Sequence, residues 1–94
     1  MRAVFLDLGT VDAGDLDTGA LEAALPGIAL HRETPQAEVE SRITGCRIVL
    51  LNKCRITRAM IEANPQLALI GLTATGVDNV DVAAARERGV AVCN

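Results

Sequence analysis

Apolar residues fall in short runs, separated by segments in which they recur every three or four positions. The first run, residues 3–8, is nearly continuous: Ala3-Val4-Phe5-Leu6-Asp7-Leu8. Its length marks a buried strand rather than a helix. Residues 9–14 carry turn chemistry. Asp17 or Thr18 can cap a short helix through Leu25, with Leu16, Ala20, Leu21, Ala24 and Leu25 on one face. Pro26-Gly27 ends it. Residues 28–31 make a second strand. Thr34 before Pro35 supplies a hydroxyl cap and a first-turn proline for a helix to about Thr44, and Gly45 is its left-handed terminator. Residues 47–51 form a third strand, expected to be central and buried on both faces. Thr57 caps a third helix ending near Asn64, before Pro65. Residues 67–72 are a fourth strand and 73–80 a loop. Asp81 opens an alanine-rich fourth helix that stops at Gly89, and residues 90–92 are a fifth strand.

Strands alternating with helices of this length predict right-handed crossovers and a parallel sheet. For five strands the expected solution is an α/β, flavodoxin-like sheet of order 2-1-3-4-5, with helices on both faces. No linker or repeat divides the chain, so residues 1–94 form one unit. A domain this short buries roughly 60–65% of the surface that its unfolded chain exposes. Phe5 is the only aromatic residue, so the core must be aliphatic.

The formal net charge of −3 and the scattered basic residues argue against nucleic acid as a partner. Cys46, Cys54 and Cys93 lack metal-ligand spacing and read as free thiols of a reducing compartment. His31, the only histidine, lacks partners for a catalytic or zinc role. The apolar N-terminal run is too short for a signal peptide or a membrane span, and a cytoplasmic location is expected.

In such a sheet, ligands bind outside the carboxyl ends of the strands. After the first strand, Gly9 and Gly14 have phosphate-loop spacing. However, Asp15-Leu16 replaces the required Lys-Ser/Thr pair, and Asp12 and Asp15 repel phosphate. No G-x-G-x-x-G fingerprint occurs. After the third strand, Asn52 offers hydrogen bonds and Lys53 a cation to a small anion. The competing reading is a solvated loop in which Asn52 closes a turn. After the fourth strand, Gly76 permits close backbone approach, and the amides around Thr75, Gly76 and Val77 could form an anion-binding concavity. The competing reading is a plain turn whose amides are satisfied by Asp78, Asn79 and Asp81.

Asn52-Lys53, the stretch from Ile70-Gly71-Leu72-Thr73-Ala74-Thr75-Gly76-Val77 through Asp78-Asn79-Val80-Asp81-Val82, and the ending Arg88-Gly89-Val90 with Val92-Cys93-Asn94 carry a resemblance. Together they resemble the D-isomer-specific 2-hydroxyacid dehydrogenases. Asn-Lys after strand 3 with Ala-Thr-Gly after strand 4 looks like the glycerate dehydrogenase (hydroxypyruvate reductase) branch. Similarity is dense from about residue 46 onward and only topological before that.

The resemblance implies reversible reduction of a 2-oxo acid to a D-2-hydroxy acid with NADH or NADPH. It implies that the substrate carboxylate rests on the main chain of Thr75, Gly76 and Val77, with Asn52 and Lys53 lining the same pocket. It places the Rossmann cofactor domain and the catalytic Arg, Glu and His beyond residue 94. The chain alone is therefore expected to bind no NAD or NADP and to be inactive. In the family a C-terminal helix returns to cover one face of this sheet beside helix 1. Aliphatic surface near helix 1 is thus expected to be open, and to be covered by the rest of the enzyme or by self-association. The alternative is a non-enzymatic flavodoxin-like binding or interaction domain. A phosphoacceptor version should carry an Asp at the end of strand 3, where Asn52-Lys53 stands.

Overall fold

The computed structural model describes residues 2–11, 18–73 and 78–93. Its strands are β1 (Ala3–Phe5), β2 (Ala29–Leu30), β3 (Ile48–Leu51), β4 (Leu69–Leu72) and β5 (Ala91–Cys93). All are parallel, in the order β2-β1-β3-β4-β5. Four helices connect them: α1 (Thr18–Ala24), α2 (Gln36–Ile43), α3 (Arg58–Glu62) and α4 (Val82–Glu87). This is the flavodoxin-like order that the sequence pattern predicts.

Most helix ends follow their local chemistry. The Thr57 hydroxyl accepts the Met60 N–H, and the Asp81 carboxylate accepts that of Ala84. Gly45 and Gly89 follow α2 and α4 with φ of +78° and +73°, a region that a side chain would disfavour. Thr34 departs from expectation. Pro35 occupies the cap position of α2, and no side chain caps that end, so Thr34 lies one residue too early. Its hydroxyl donates instead to the Leu6 carbonyl and accepts from Arg42 Nη1 at 2.7 Å. It thus ties the end of β1 to the start of α2.

The two sheet faces differ. Val4, Val49, Ile70 and Val92 are aligned across β1, β3, β4 and β5 and so share one face. Over it pack Val39 and Ile43 of α2, Met60 and Ile61 of α3, and Ala84 and Ala85 of α4, in one aliphatic cluster. The connection carrying α1 runs the opposite way along the sheet, so a right-handed crossover puts α1 on the other face. There Ala3 and Phe5 are buried, but Ile48, Leu50 and Leu69 are only half-buried, and Ala91 and Cys93 are exposed.

This corrects two expectations. β3 is not buried on both faces, because the cover on the α1 side reaches β1 but not β3 to β5. The apolar face foreseen for α1 is only partly engaged: Leu21 and Leu25 are half-buried, Ala20 and Ala24 are exposed, and Leu16 and Asp17 lie outside the described residues. The open surface is shallower than the sequence implies. Gly71 has no side chain, and a Cβ built there would lie 2.7 Å from Leu50 Cδ2. Leu50 therefore lies across β4 and partly closes the gap.

The asymmetry has a measurable consequence. Ile70→Ala should cost about 3 kcal/mol in urea unfolding, as for a fully buried aliphatic residue. Leu69→Ala, one residue away on the open face, should cost less than about half of that. Equal losses would mean that both faces are closed.

Candidate functional site

Asp7 interrupts an otherwise apolar run and is 3% exposed. β1 and β3 are neighbours, and Leu6 N–H donates to the Leu50 carbonyl at 2.9 Å, so their carboxyl ends lie side by side. The Asp7 carboxylate therefore meets the loop that leaves β3. Oδ1 accepts the Asn52 N–H at 2.7 Å. Oδ2 accepts those of Lys53 at 2.6 Å and Cys54 at 2.9 Å. Short bonds to an ionised acceptor are the strong kind, and they make a buried charge tolerable. One side chain thus holds the N–H groups of three successive residues.

The same loop is held on its other side. Asn79 Nδ2 donates to the carbonyls of Asn52 at 3.0 Å and Cys54 at 2.9 Å. Ile56 and Val80 form a parallel bridge, with Ile56 N–H donating to the Asn79 carbonyl at 2.9 Å and Asp81 N–H to the Ile56 carbonyl at 3.0 Å. Within 52–54, Cys54 is buried, Asn52 is half-buried, and Lys53 alone is exposed.

Lys53 lies at the carboxyl edge of the sheet, as the sequence predicts. It lines an open cleft of about 400 Å³ together with Thr10, Glu33, Thr34, Gln36 and Cys54. Asn52 reaches the same edge, but its Nδ2 donates to Thr10 Oγ1 at 2.9 Å, bracing the loop after β1. Thr75, Gly76 and Val77 lie outside the described residues. Of the residues thought to satisfy that turn, Asp81 caps α4, whereas Asn79 serves the neighbouring loop instead. The sequence gives no role at this edge to Asp7, and to Asn79 only that of satisfying its own turn. For Asp7 a signal existed: a lone charge closing an apolar strand at its ligand-facing end.

The thiols are quiet. Burial, reinforced by the Asp7 charge and its hydrogen bond, pushes Cys54 up to about 11. It stays a neutral thiol at physiological pH, with Sγ 3.6 Å from the Thr34 carbonyl. Burial also raises Cys46. Burial and the Arg42 guanidinium lower His31, against a smaller opposing pull from Glu38. Among the described residues no cluster of three or more His, Cys, Asp or Glu could hold a metal. The cleft thus sets exposed Lys53 beside the Asp7 and Glu33 carboxylates, and among the described residues neither buried thiol is an activated nucleophile.

The described residues do not fit a dinucleotide. Where a phosphate loop would follow β1, the buried Asp7 carboxylate stands. The N-termini of α3 and α4 are closed by their own Thr57 and Asp81.

Comparison with known proteins adds independent findings. Residues 10–94 match the family "D-isomer specific 2-hydroxyacid dehydrogenase, catalytic domain". The chain is 40% identical over 96 residues to the hydroxypyruvate reductase of Blautia hydrogenotrophica, covering all of this chain and 30% of that protein. It is 39% identical over 61 residues to the glycerate dehydrogenase of Methylorubrum extorquens, covering 65% of this chain and 19% of the relative. The cofactor (NAD+)-bound 3-phosphoglycerate dehydrogenase of Entamoeba histolytica superposes with a TM-score of 0.75 at 20% identity, over 98% of this chain and 32% of that one. That last likeness shows the fold alone. The chain spans less than a third of the length of these proteins.

Two outcomes follow from the geometry. Asp7→Asn points an amide donor at N–H groups that need an acceptor, and should cost about 3 kcal/mol in urea unfolding. Wild-type stability would show that solvent already satisfies those amides. With iodoacetamide at pH 8, mass spectrometry should find exposed Cys93 modified first, and Cys46 and Cys54 protected until the chain unfolds. Early labelling of Cys54 would contradict its burial and raised pKa.

Proposed function

This chain belongs to the D-isomer specific 2-hydroxyacid dehydrogenase family, and on that premise we propose that it is the substrate-binding part of a longer reductase acting on small 2-oxo acids of the hydroxypyruvate or glyoxylate type. The observation that carries the reading is the Lys53 loop, whose three amides are consumed by Asp7 while exposed Lys53 lines an open cleft. An ammonium on a fixed backbone binds a carboxylate with little loop-ordering cost. In this reading Lys53 attracts the acid, and Asn52 shapes the pocket wall through its bond to Thr10. The main chain of Thr75, Gly76 and Val77 receives the carboxylate. These roles rest on the family resemblance together with the position of the loop.

The hydride in such a reduction comes from NADH or NADPH. The described residues do not fit that cofactor, so its site belongs to a part of the protein outside them, as do the groups that move the proton. The task of these 94 residues is to bind and orient the acid. The half-covered sheet face accords with this division: Ile48, Leu50 and Leu69 make contact with the remainder of the enzyme, or with a second copy of the chain.

An interaction or phosphoacceptor domain fits less well. Asn52 and Lys53 stand where a phosphoacceptor needs an acid, and both oxygens of Asp7 are engaged.

The test is kinetic. In the complete enzyme, with hydroxypyruvate or glyoxylate and NADH or NADPH, Lys53→Ala should raise KM about tenfold or more. That corresponds to the loss of one charge-assisted contact of about 1.5–3 kcal/mol. An unchanged KM would remove Lys53 from the pocket, and no turnover of any small 2-oxo acid would refute the reading as a whole.

A further inference from the structure

We infer that Asn79 is a positioning residue for Lys53, and that it joins the β3–α3 connection to residues 79–81, just ahead of α4, at the substrate edge. The inference rests on the reading of Lys53 as a substrate-binding residue. Its own support is geometric. Both hydrogens of the Asn79 amide are used, on the carbonyls of Asn52 and Cys54, the residues on either side of Lys53. Asp7 meanwhile takes the N–H groups of 52, 53 and 54. The loop is thus gripped through its donors from β1 and through its acceptors from the segment before α4.

Neither grip alone fixes the strip. The Asn52 carbonyl shares one planar peptide with the Lys53 N–H, so the bond to Asp7 holds one edge of that peptide and still lets it tilt about the bond, which swings the Lys53 Cα–Cβ direction. Two carbonyls held by one planar amide remove that freedom. Asn79 is suited to this because it presents two donors about one nitrogen, and its own backbone is anchored by the Ile56 bridge. A side chain whose root is fixed loses less entropy when it meets its ligand. Asn79 therefore acts through Lys53 and touches no substrate itself.

The experiment is a double-mutant cycle in the complete enzyme, paired with amide hydrogen exchange on the 94-residue chain. Asn79→Ala should raise KM for glyoxylate about tenfold and leave kcat within about twofold. It should also speed exchange at residues 52–54 and at Ile56 by tenfold or more. Asn79→Ser, which keeps one donor, should give intermediate values and guards against simple misfolding of the alanine variant. In the Lys53→Ala background, Asn79→Ala should add nothing further, because the group that it positions is gone.

Additive effects on KM would overturn the inference, as would unchanged exchange at 52–54. If Lys53→Ala itself leaves KM untouched, the substrate role of Lys53 fails and the positioning role falls with it. The exchange data would then still report separately whether Asn79 clamps the loop.

Discussion

The carboxylate of Asp7 holds this edge of the molecule together. It is buried at the end of β1, next to β3, and a charge placed there must find donors or destabilise the fold. The chain supplies them as three consecutive peptide N–H groups at Asn52, Lys53 and Cys54. One requirement, the satisfaction of a buried charge, thereby fixes the path of the loop after β3. That path also leaves Lys53 as the one exposed residue of the three. Burial first, and then the Asp7 carboxylate opposing a second negative charge beside it, keep the Cys54 thiol protonated.

Elsewhere the fold concentrates its stability on one side. The α2, α3 and α4 side carries the aliphatic cluster, and exposed ion pairs stitch α3 to α4. There Arg58 Nη2 meets Glu87 at 2.7 Å, and Glu62 and Asp81 lie farther off at 3.6 and 3.9 Å. Solvent screening leaves such pairs a modest role, so packing carries most of the load. The opposite face is half-covered over β3 and β4, with Leu50 lying across the place where Gly71 lacks a side chain. A rigid, packed side supports the loops at the carboxyl edge, and the open side suits contact with further protein.

Sheet order and most helix ends were legible because they depend on local signals: run length, period, and residues such as Thr57, Asp81, Gly45 and Gly89. The position of Lys53 and Asn52 at the carboxyl edge was legible as well, because the topology puts the connection after β3 there. What the sequence hid was pairing across long separations. Nothing local to Asp7 names its partners some 45 residues away, and nothing near Asn79 says that its amide turns back toward β3. Thr34 misled because a hydroxyl before proline is a good cap in isolation, whereas here the Leu6 carbonyl claims it. The two-sided burial expected of β3 failed for a related reason. Its continuous apolar run specifies what could be buried, not how much cover the neighbouring segments provide.

The most direct test of the Asp7 clamp is NMR detection of scalar couplings through its hydrogen bonds, from the Asp7 carboxylate carbon to the amide nitrogens of Asn52, Lys53 and Cys54. Three resolved couplings that persist on addition of glyoxylate are expected, while the signals of the Lys53 side chain and of the Thr75, Gly76 and Val77 amides move. Absence of the couplings, or their loss as the acid binds, would mean that the amides face solvent or ligand, and the carboxylate would no longer account for the loop.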